Sequence, residues 1–502
     1  MQRPESPLTP LAVARLHRLL LILLLAVFGY ALAVPIWDAD FWWHLASGRW
    51  IWQAGALPQS DPFGVFGDTN PIRSETVLKG QWLGQLLFYG LYQLGEAHAI
   101  VTLRVTLLLA SLLLLHQRLR LAGIGRAGAL AAVALVGLCL QGYTGDRPQL
   151  WSILFAALTF WLIDLAEQRQ APRLYWLLPL IALLWANVHG GVMLGGVLLV
   201  LHAVMFWWSA RHAASESRRM ARHLVAATVL FGGATLLSPN GLDAYAYIFN
   251  LQGSELQART SEYVSALKIY QLGHLQLQLW VAIALLLALL GLAGLLRRAP
   301  GKAVLIGLLL ALSIESFRYL VFLLLVASPY AAQGLQQLAG RLPFRPLSTG
   351  AGLAAAGGML IASLALLLAT SGGTPRSGVE TQRYPVHLEH IVAPLHGRVF
   401  NFMNWGGYLL WHAPSLTPYI DGRMLDEKQL IPYTHMLWAS PQGKLWFEQA
   451  DFDWVLLPYL DQYGEIYGLN PYLQRHPRWQ AYARDGNSIL YARIRTGFNA
   501  GN

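Results

Sequence analysis

Charge is what this sequence has least of. Asp, Glu, Lys and Arg make up 12% of it, about half of the roughly 25% carried by a soluble globular chain. Cysteine is nearly absent too. Cys139 stands alone inside an apolar run, so no intrachain disulfide can form and any water-facing part is held by packing. The histidines are scattered without the His-x-x-x-His spacing that sets two ligands on one helix face, so no metal motif is present. A cleavable signal is missing as well: the first apolar run, about 19–37, exceeds a usual signal core and ends in Pro35-Ile36-Trp37-Asp38. No internal repeat or low-complexity tract is found.

What replaces charge is apolar surface. The chain is 55% hydrophobic with a mean hydropathy of +0.42. Runs of about 18 or more apolar residues recur, each able to cross a hydrocarbon core of about 30 Å as a helix. The net charge of +10 does not point to nucleic acid, because Lys and Arg collect in alternate loops between apolar runs. The partner implied is the lipid bilayer.

Spans are expected at about 19–37, 97–116, 127–143, 149–167, 174–188, 190–208, 223–238, 275–296, 303–316, 319–336 and 347–370. Arg3, Arg15 and Arg18 keep the N-terminus in the cytoplasm, and later basic clusters fall in alternate loops. This parity gives about eleven spans, with boundaries good to a few residues. The two spans at 174–188 and 190–208 share one apolar run and hinge at Asn187-Val188-His189-Gly190-Gly191. The expected architecture is an all-α polytopic transmembrane bundle, residues 1–370, followed by a soluble extracytoplasmic α/β domain, 371–502.

The first external loop, 38–96, alternates bulky aromatics with polar groups at helical spacing over 40–54 and 81–94. Trp and Tyr favour the headgroup boundary, so two interfacial helices are expected around a Pro/Gly/Asp-rich connector, 55–80. After a flexible stretch at 371–378, the terminal domain shows strand patterns at 398–402, 417–421 and 453–458. Helical patterns lie at 426–439 and 443–450, and a hairpin turns at Asp485-Gly486-Asn487.

Ionisable residues beside spans are expensive unless paired or functional. Here they gather on the external side: Asp38 and Asp40, Arg73, Glu75 and Lys79, Arg104 in the second span, Asp146 and Arg147, His189, Glu262, Glu315 and Arg318. Arg and Lys hold phosphate by charge-assisted hydrogen bonds, and a nearby aspartate suits a general base. A lipid phosphate reaches such a site laterally, which favours displacement at a sugar carbon with lipid phosphate leaving. The bland readings are helix caps for the aspartates and headgroup contacts for the cations.

The segment Asp38-Ala-Asp40-Phe-Trp-Trp-His44-Leu-Ala-Ser-Gly48 resembles the acidic motif in the first loop of the GT-C superfamily of membrane glycosyltransferases. Lys79-Gly-Gln-Trp82-Leu is similar to the Lys-Pro-Pro-Leu-x-Trp element of its O-mannosyltransferase and aminoarabinose branches, without either proline. The chain also resembles uncharacterised bacterial members through Arg147-Pro148-Gln149, Trp185-Ala-Asn187-Val-His189-Gly-Gly, Ser238-Pro-Asn240-Gly, Asn404-Trp405-Gly-Gly-Tyr408 and Ile420-Asp421-Gly-Arg423. Trp405-Gly-Gly-Tyr408 echoes the Trp-Trp-Asp-Tyr-Gly motif of oligosaccharyltransferases with the aspartate replaced, so peptide recognition does not carry over.

The resemblance implies an inverting transfer of sugar from a polyprenyl-phosphate donor to a glycan, lipid or protein acceptor, in a bacterial inner membrane. Asp40 or Asp38 would be the base, and Lys79, Arg104, Arg147, Arg318 and Arg73 would meet the donor phosphate. His44, Asn187, His189, Glu262, Trp405, Tyr408, Asp421 and Arg423 would face the substrates. The Asp38-x-Asp40 pair could also meet a divalent cation, as in some members. Competing expectations are a lipid-linked glycan flippase, an aspartate-independent glycan polymerase or ligase, and a non-catalytic assembly protein.

Overall fold

The structure, a computed structural model, describes residues 9–64, 71–251, 264–272, 275–340, 351–354, 357–358, 378–461 and 464–494. Glu262 and most of the expected span at 347–370 lie outside the described residues.

Helix α1 (Pro10–Leu32) begins where the Thr9 hydroxyl accepts the Ala12 amide at 3.2 Å and Pro10 supplies a fixed φ. A short extended link leads to α2 (Asp40–Ala54), whose first turn carries Asp40 at the positive end of the helix dipole. Helix α3 (Pro71–Lys79) follows, inside the expected connector. Its Pro71 suits a first turn, and Glu75 and Lys79 pair at 3.0 Å one turn apart. Helix α4 (Trp82–Leu121) is broken at Gly95 (φ −164°, ψ 24°) and Glu96 (φ 48°, ψ −139°). That corner separates the aromatic segment from the apolar segment behind it, as the two patterns require.

The bundle continues with α5 (Arg126–Leu140), α6 (Gln149–Arg169), α7 (Leu178–Val188) and α8 (Val192–Ala210). Between α7 and α8 the chain is extended at His189 (φ −164°, ψ 140°), at the hinge the sequence marked. Next come α9 (Ser215–Thr235), α10 (Asp243–Leu251), α11 (Leu275–Leu295), α12 (Pro300–Glu315) and α13 (Phe317–Ala339).

The protein is an integral membrane protein. Seven helices among the described residues are long and apolar enough to cross a bilayer: α1, α4, α5 with the 3-10 turn that extends it to Tyr143, α6, α8, α11 and α13. The expected count of about eleven is not reached there. The apolar stretch Pro172–Val188 is shorter, α12 has 16 residues, and α9 opens on Glu216, Arg218, Arg219 and Arg222.

Helix α13 contains a π-helical segment, Leu323–Ala327, whose wider turn misaligns its carbonyls. Arg118 answers it. Its Nη1 donates to Leu325 O at 2.5 Å and Val326 O at 3.2 Å, while Nε donates to Asp164 at 2.7 Å. In a bilayer such carbonyls have no water to turn to, so the arginine is structural.

After the bundle the chain forms β1 (Gly397–Asn401), α14 (Met403–His412), β2 (Leu416–Pro418), α15 (Leu430–Leu437), α16 (Pro441–Gln449), β3 (Trp454–Pro458), α17 (Leu469–Arg475), β4 (Trp479–Arg484) and β5 (Ser488–Arg493). The sheet order is β2-β1-β3-β5-β4; β1 runs parallel to β2 and β3, and the rest pair antiparallel. Val399, Leu456 and Leu490 face α2 and α14, whereas Phe400, Val455, Leu457 and Tyr491 face a second core with Tyr433, Phe447 and Leu473. This is the period-two alternation of strands buried on both faces.

Removing Arg118 alone leaves Asp164 and two carbonyls in an apolar bundle. Arg118→Met is expected to cost about 3–5 kcal/mol, read as a lower thermal midpoint of the purified protein. Adding Asp164→Leu should recover part of that loss, which distinguishes an uncompensated charge from simple loss of packing.

Candidate functional site

Four segments meet under the sheet: the α1–α2 link with the start of α2, the α5–α6 turn, the α7–α8 break and the α12–α13 turn. They enclose a cavity of about 2920 Å³. Asp38, Asp40, His44, Arg147, Ser152, His189 and Arg318 line its polar wall. Leu277, Trp280, Leu308, Leu312, Val321 and Phe322 line an apolar wall formed by α11, α12 and α13. Trp43, Trp405 and Tyr433 stand on the side nearest the sheet.

At the centre Arg147 bridges two carboxylates. Its Nε lies 3.0 Å from Asp38 Oδ2 and its Nη1 lies 3.2 Å from Asp40 Oδ2. The other oxygens are engaged by α2 itself. Asp38 Oδ1 accepts the Asp40 amide at 3.0 Å, and Asp40 Oδ1 accepts the Trp43 indole N–H at 3.0 Å. Asp38 thus fixes the start of the helix while its neighbour opens to the cavity. Side-chain exposure separates them, 9% for Asp38 against 27% for Asp40. Asp40 is the accessible one.

His44 sits one turn further along α2 and is buried against Trp43. Burial, with the charge of Arg147 nearby, lowers its pKa well below the usual histidine value. It is therefore neutral at pH 7.

Arg104 lies beneath this cluster, fully buried and absent from the cavity wall. It donates to Asp146 at 2.7 Å and to Thr144 O at 2.6 Å, and also to Val34 O. One guanidinium therefore ties the end of α1 to the turn that presents Arg147. Lys79 pairs with Glu75 and is likewise off the wall, although Thr76, Gly80 and Gln81 beside it are on it. Arg73 is on α3, and its side chain is outside the described part. Asn187 accepts the Trp82 indole N–H at 2.7 Å, which seats the start of α4 against α7.

The Asn404-Trp405-Gly-Gly-Tyr408 motif forms part of α14, which lies on α2. A Cβ at Gly407 would stand 2.9 Å from the Trp43 amide nitrogen, and one at Gly406 would stand 2.2 Å from Ile420 O. The glycines let three backbones meet. Trp405 donates to Arg383 O at 2.7 Å, and the Tyr408 hydroxyl donates to Glu389 at 2.7 Å, away from the cavity.

Asp421 and Arg423 belong to a buried triad. Arg423 reaches Asp421 at 2.7 Å and Asp61 of the first loop at 2.5 Å. Between them, Gly422 leans over the site: a Cβ there would lie 2.1 Å from Asp40 Oδ1. The sequence signalled Asp421 and Arg423, but nothing in it pointed to Asp61 as their partner, and Ser152 carried no signal at all.

A divalent cation fits this donor set poorly. The space between Asp38 and Asp40 holds the Arg147 guanidinium, and no group of three or more His, Cys, Asp or Glu side chains converges among the described residues.

The sequence matches no family model and no curated protein. Solved structures do match. The archaeal oligosaccharyltransferase AglB from Archaeoglobus fulgidus, in complex with an inhibitory peptide and a dolichol-phosphate, superposes with a TM-score of 0.57 at 11% identity, covering 88% of this chain and 69% of that one. The same enzyme with zinc and sulfate gives 0.56 at 13% identity, covering 88% and 68%. The arabinofuranosyltransferase AftD from Mycobacteria gives 0.57 at 18% identity, covering 97% of this chain and 40% of that longer one. Both are GT-C membrane glycosyltransferases. The likeness is one of fold.

Breaking the triad tests the attachment of the sheet. Arg423→Ala leaves two buried carboxylates facing each other and is expected to cost about 3–5 kcal/mol. Faster limited proteolysis of the C-terminal region than in the parent protein checks it.

Proposed function

We propose that the chain is a membrane glycosyltransferase that moves a sugar from a polyprenyl-phosphate donor to an acceptor hydroxyl on the extracytoplasmic side. What carries the reading is one cavity that joins the Asp38–Asp40–Arg147 cluster to an apolar wall between α11, α12 and α13. A lipid tail belongs on the apolar wall and its phosphate beside the arginines. The same fold in AglB was solved with a dolichol-phosphate and an inhibitory peptide, which agrees with this division.

In the proposed step the acceptor oxygen attacks the anomeric carbon as the bond from that carbon to the phosphate oxygen breaks. Asp40, the more exposed carboxylate, takes the acceptor proton. Arg147 and Arg318 stabilise the phosphate monoester as it leaves, where negative charge grows. A single displacement inverts the anomeric centre. Asp38 acts by holding Arg147 and the Asp40 amide in place. Trp405, Tyr433 and Arg423 line the sheet side, where the acceptor would enter. Lys79 and Arg104, each held by its own carboxylate, take a structural part in this scheme.

Purified protein incubated with a panel of polyprenyl-phosphate sugars should consume one of them. Asp40→Asn should lower kcat by about 10²–10⁴ while leaving donor binding intact. Silence across the panel sinks the proposal, and full activity in Asp40→Asn favours an aspartate-independent polymerase or ligase.

The guanidinium between the carboxylates gives a separate expectation. A chelator such as EDTA should leave the rate unchanged, whereas Arg147→Ala should raise KM for the lipid donor and lower kcat together. A chelator-sensitive rate restored by one divalent ion would overturn that arrangement.

A further inference from the structure

The break between α7 and α8 carries a hydrogen-bond chain that the proposed step does not use. Trp185, fully buried on α7, has a donor-only indole nitrogen 2.6 Å from Ser152 Oγ on α6. Ser152 Oγ lies 2.7 Å from His189 Nδ1. The backbone N–H of Gly191, also donor-only, lies 3.0 Å from the same Nδ1. The directions are then forced. Ser152 accepts from Trp185 and has one hydrogen left to give, which goes to Nδ1. With Gly191 also donating there, a hydrogen on Nδ1 would face the amide hydrogen head-on. In the neutral ring the proton therefore sits on Nε2.

The backbone is built for this. His189 is extended, which turns its ring back over the amide two residues ahead. A Cβ at Gly191 would stand 2.4 Å from Ser152 Oγ and 2.9 Å from Nδ1, so the approach needs glycine. Ser152 and His189 both line the cavity that Asp40, Arg147 and Arg318 line.

We propose that Trp185 and Ser152 lock His189 as a neutral Nε2–H donor to a phosphate oxygen of the lipid-borne substrate. This rests on the function proposed above and deepens it. A histidine with its lone pair toward the cavity would compete with Asp40 for the acceptor proton. One with Nε2 protonated cannot, and instead adds a directed hydrogen bond where Arg147 and Arg318 supply charge. His189 contacts the substrate in this scheme; Ser152 and Trp185 are positioning residues.

Two measurements on the full chain in nanodiscs test it. With imidazole-15N histidine, the His189 signal, assigned by its loss in His189→Gln, should show an unprotonated Nδ1 and a protonated Nε2. In equilibrium binding of a polyprenyl monophosphate, His189→Ala should weaken affinity by about 10-fold or more. His189→Gln, whose amide nitrogen reaches the Nε2 position, should retain most of the affinity. His189→Asn, which places its amide near Nδ1, should behave like the alanine variant. Ser152→Ala should weaken binding and Ser152→Thr restore it, a pattern that loss of packing would not give.

A protonated Nδ1, or affinity indifferent to His189, overturns this proposal alone. A variant series that tracks inorganic phosphate but not the lipid overturns it too. Wild-type protein that binds no polyprenyl phosphate overturns the function proposed above along with it.

Discussion

The guanidinium of Arg147 between Asp38 and Asp40 is the contact on which the rest of the site depends. Two carboxylates this close repel strongly beside an apolar bundle, and the cation between them offsets that repulsion. It also fixes their geometry, because its two nitrogens address separate oxygens. The arginine can do this only while the α5–α6 turn stays against α2. Arg104 secures that docking from below by binding Thr144 O and Asp146 in the same turn. A buried ion pair thus holds a more exposed one in register, and removing the first should disturb the second.

The C-terminal sheet completes the site. α14 lies on α2 through paired glycines, and Arg423 joins Asp421 to Asp61 of the first loop. These contacts bring Gly422 against Asp40 and Tyr433 to the cavity edge. A side chain larger than hydrogen at 422 would displace the carboxylate that faces the cavity. The sheet is therefore a wall of the site, and its core is continuous with that of α2.

Much of this was legible beforehand, and the reason is cost. Asp38, Asp40, Arg147, His189 and Arg318 stand where charge and polarity are expensive, so their residue types alone pointed to one end of the bundle. The corner at Gly95-Glu96 and the break at His189 showed as changes of pattern. What failed to show was pairing across distance. Arg104 looked like a phosphate ligand because nothing in its own helix neutralises it, and its partner Asp146 lies 42 positions away. Lys79 had its partner one turn back, at Glu75, a spacing that could have been weighed. Of the aromatics in the Trp405-Gly-Gly-Tyr408 motif, Trp405 lines the cavity while Tyr408 turns to Glu389, and the glycines between them seat α14 against α2. Among the described residues the expected span number is not confirmed where helices are short or open on charge, as α12 and α9 do.

Fold and chemistry separate cleanly here. Identities of 11% and 18% to proteins of the same fold mean that the backbone path is held by patterns many sequences satisfy. Apolar length, a corner before a span and small residues at close approaches are enough. The polar cluster is not free in that way. Each member fixes another: Trp43 orients Asp40, Asp40 and Asp38 orient Arg147, and Gly422 limits the space left for the carboxylate. A change at one position must be answered at its partners, whereas an apolar helix face absorbs most substitutions. The function of a chain with this fold is therefore written in the few side chains whose partners are fixed, and in this chain those side chains pair aspartate with arginine beside an apolar cavity wall.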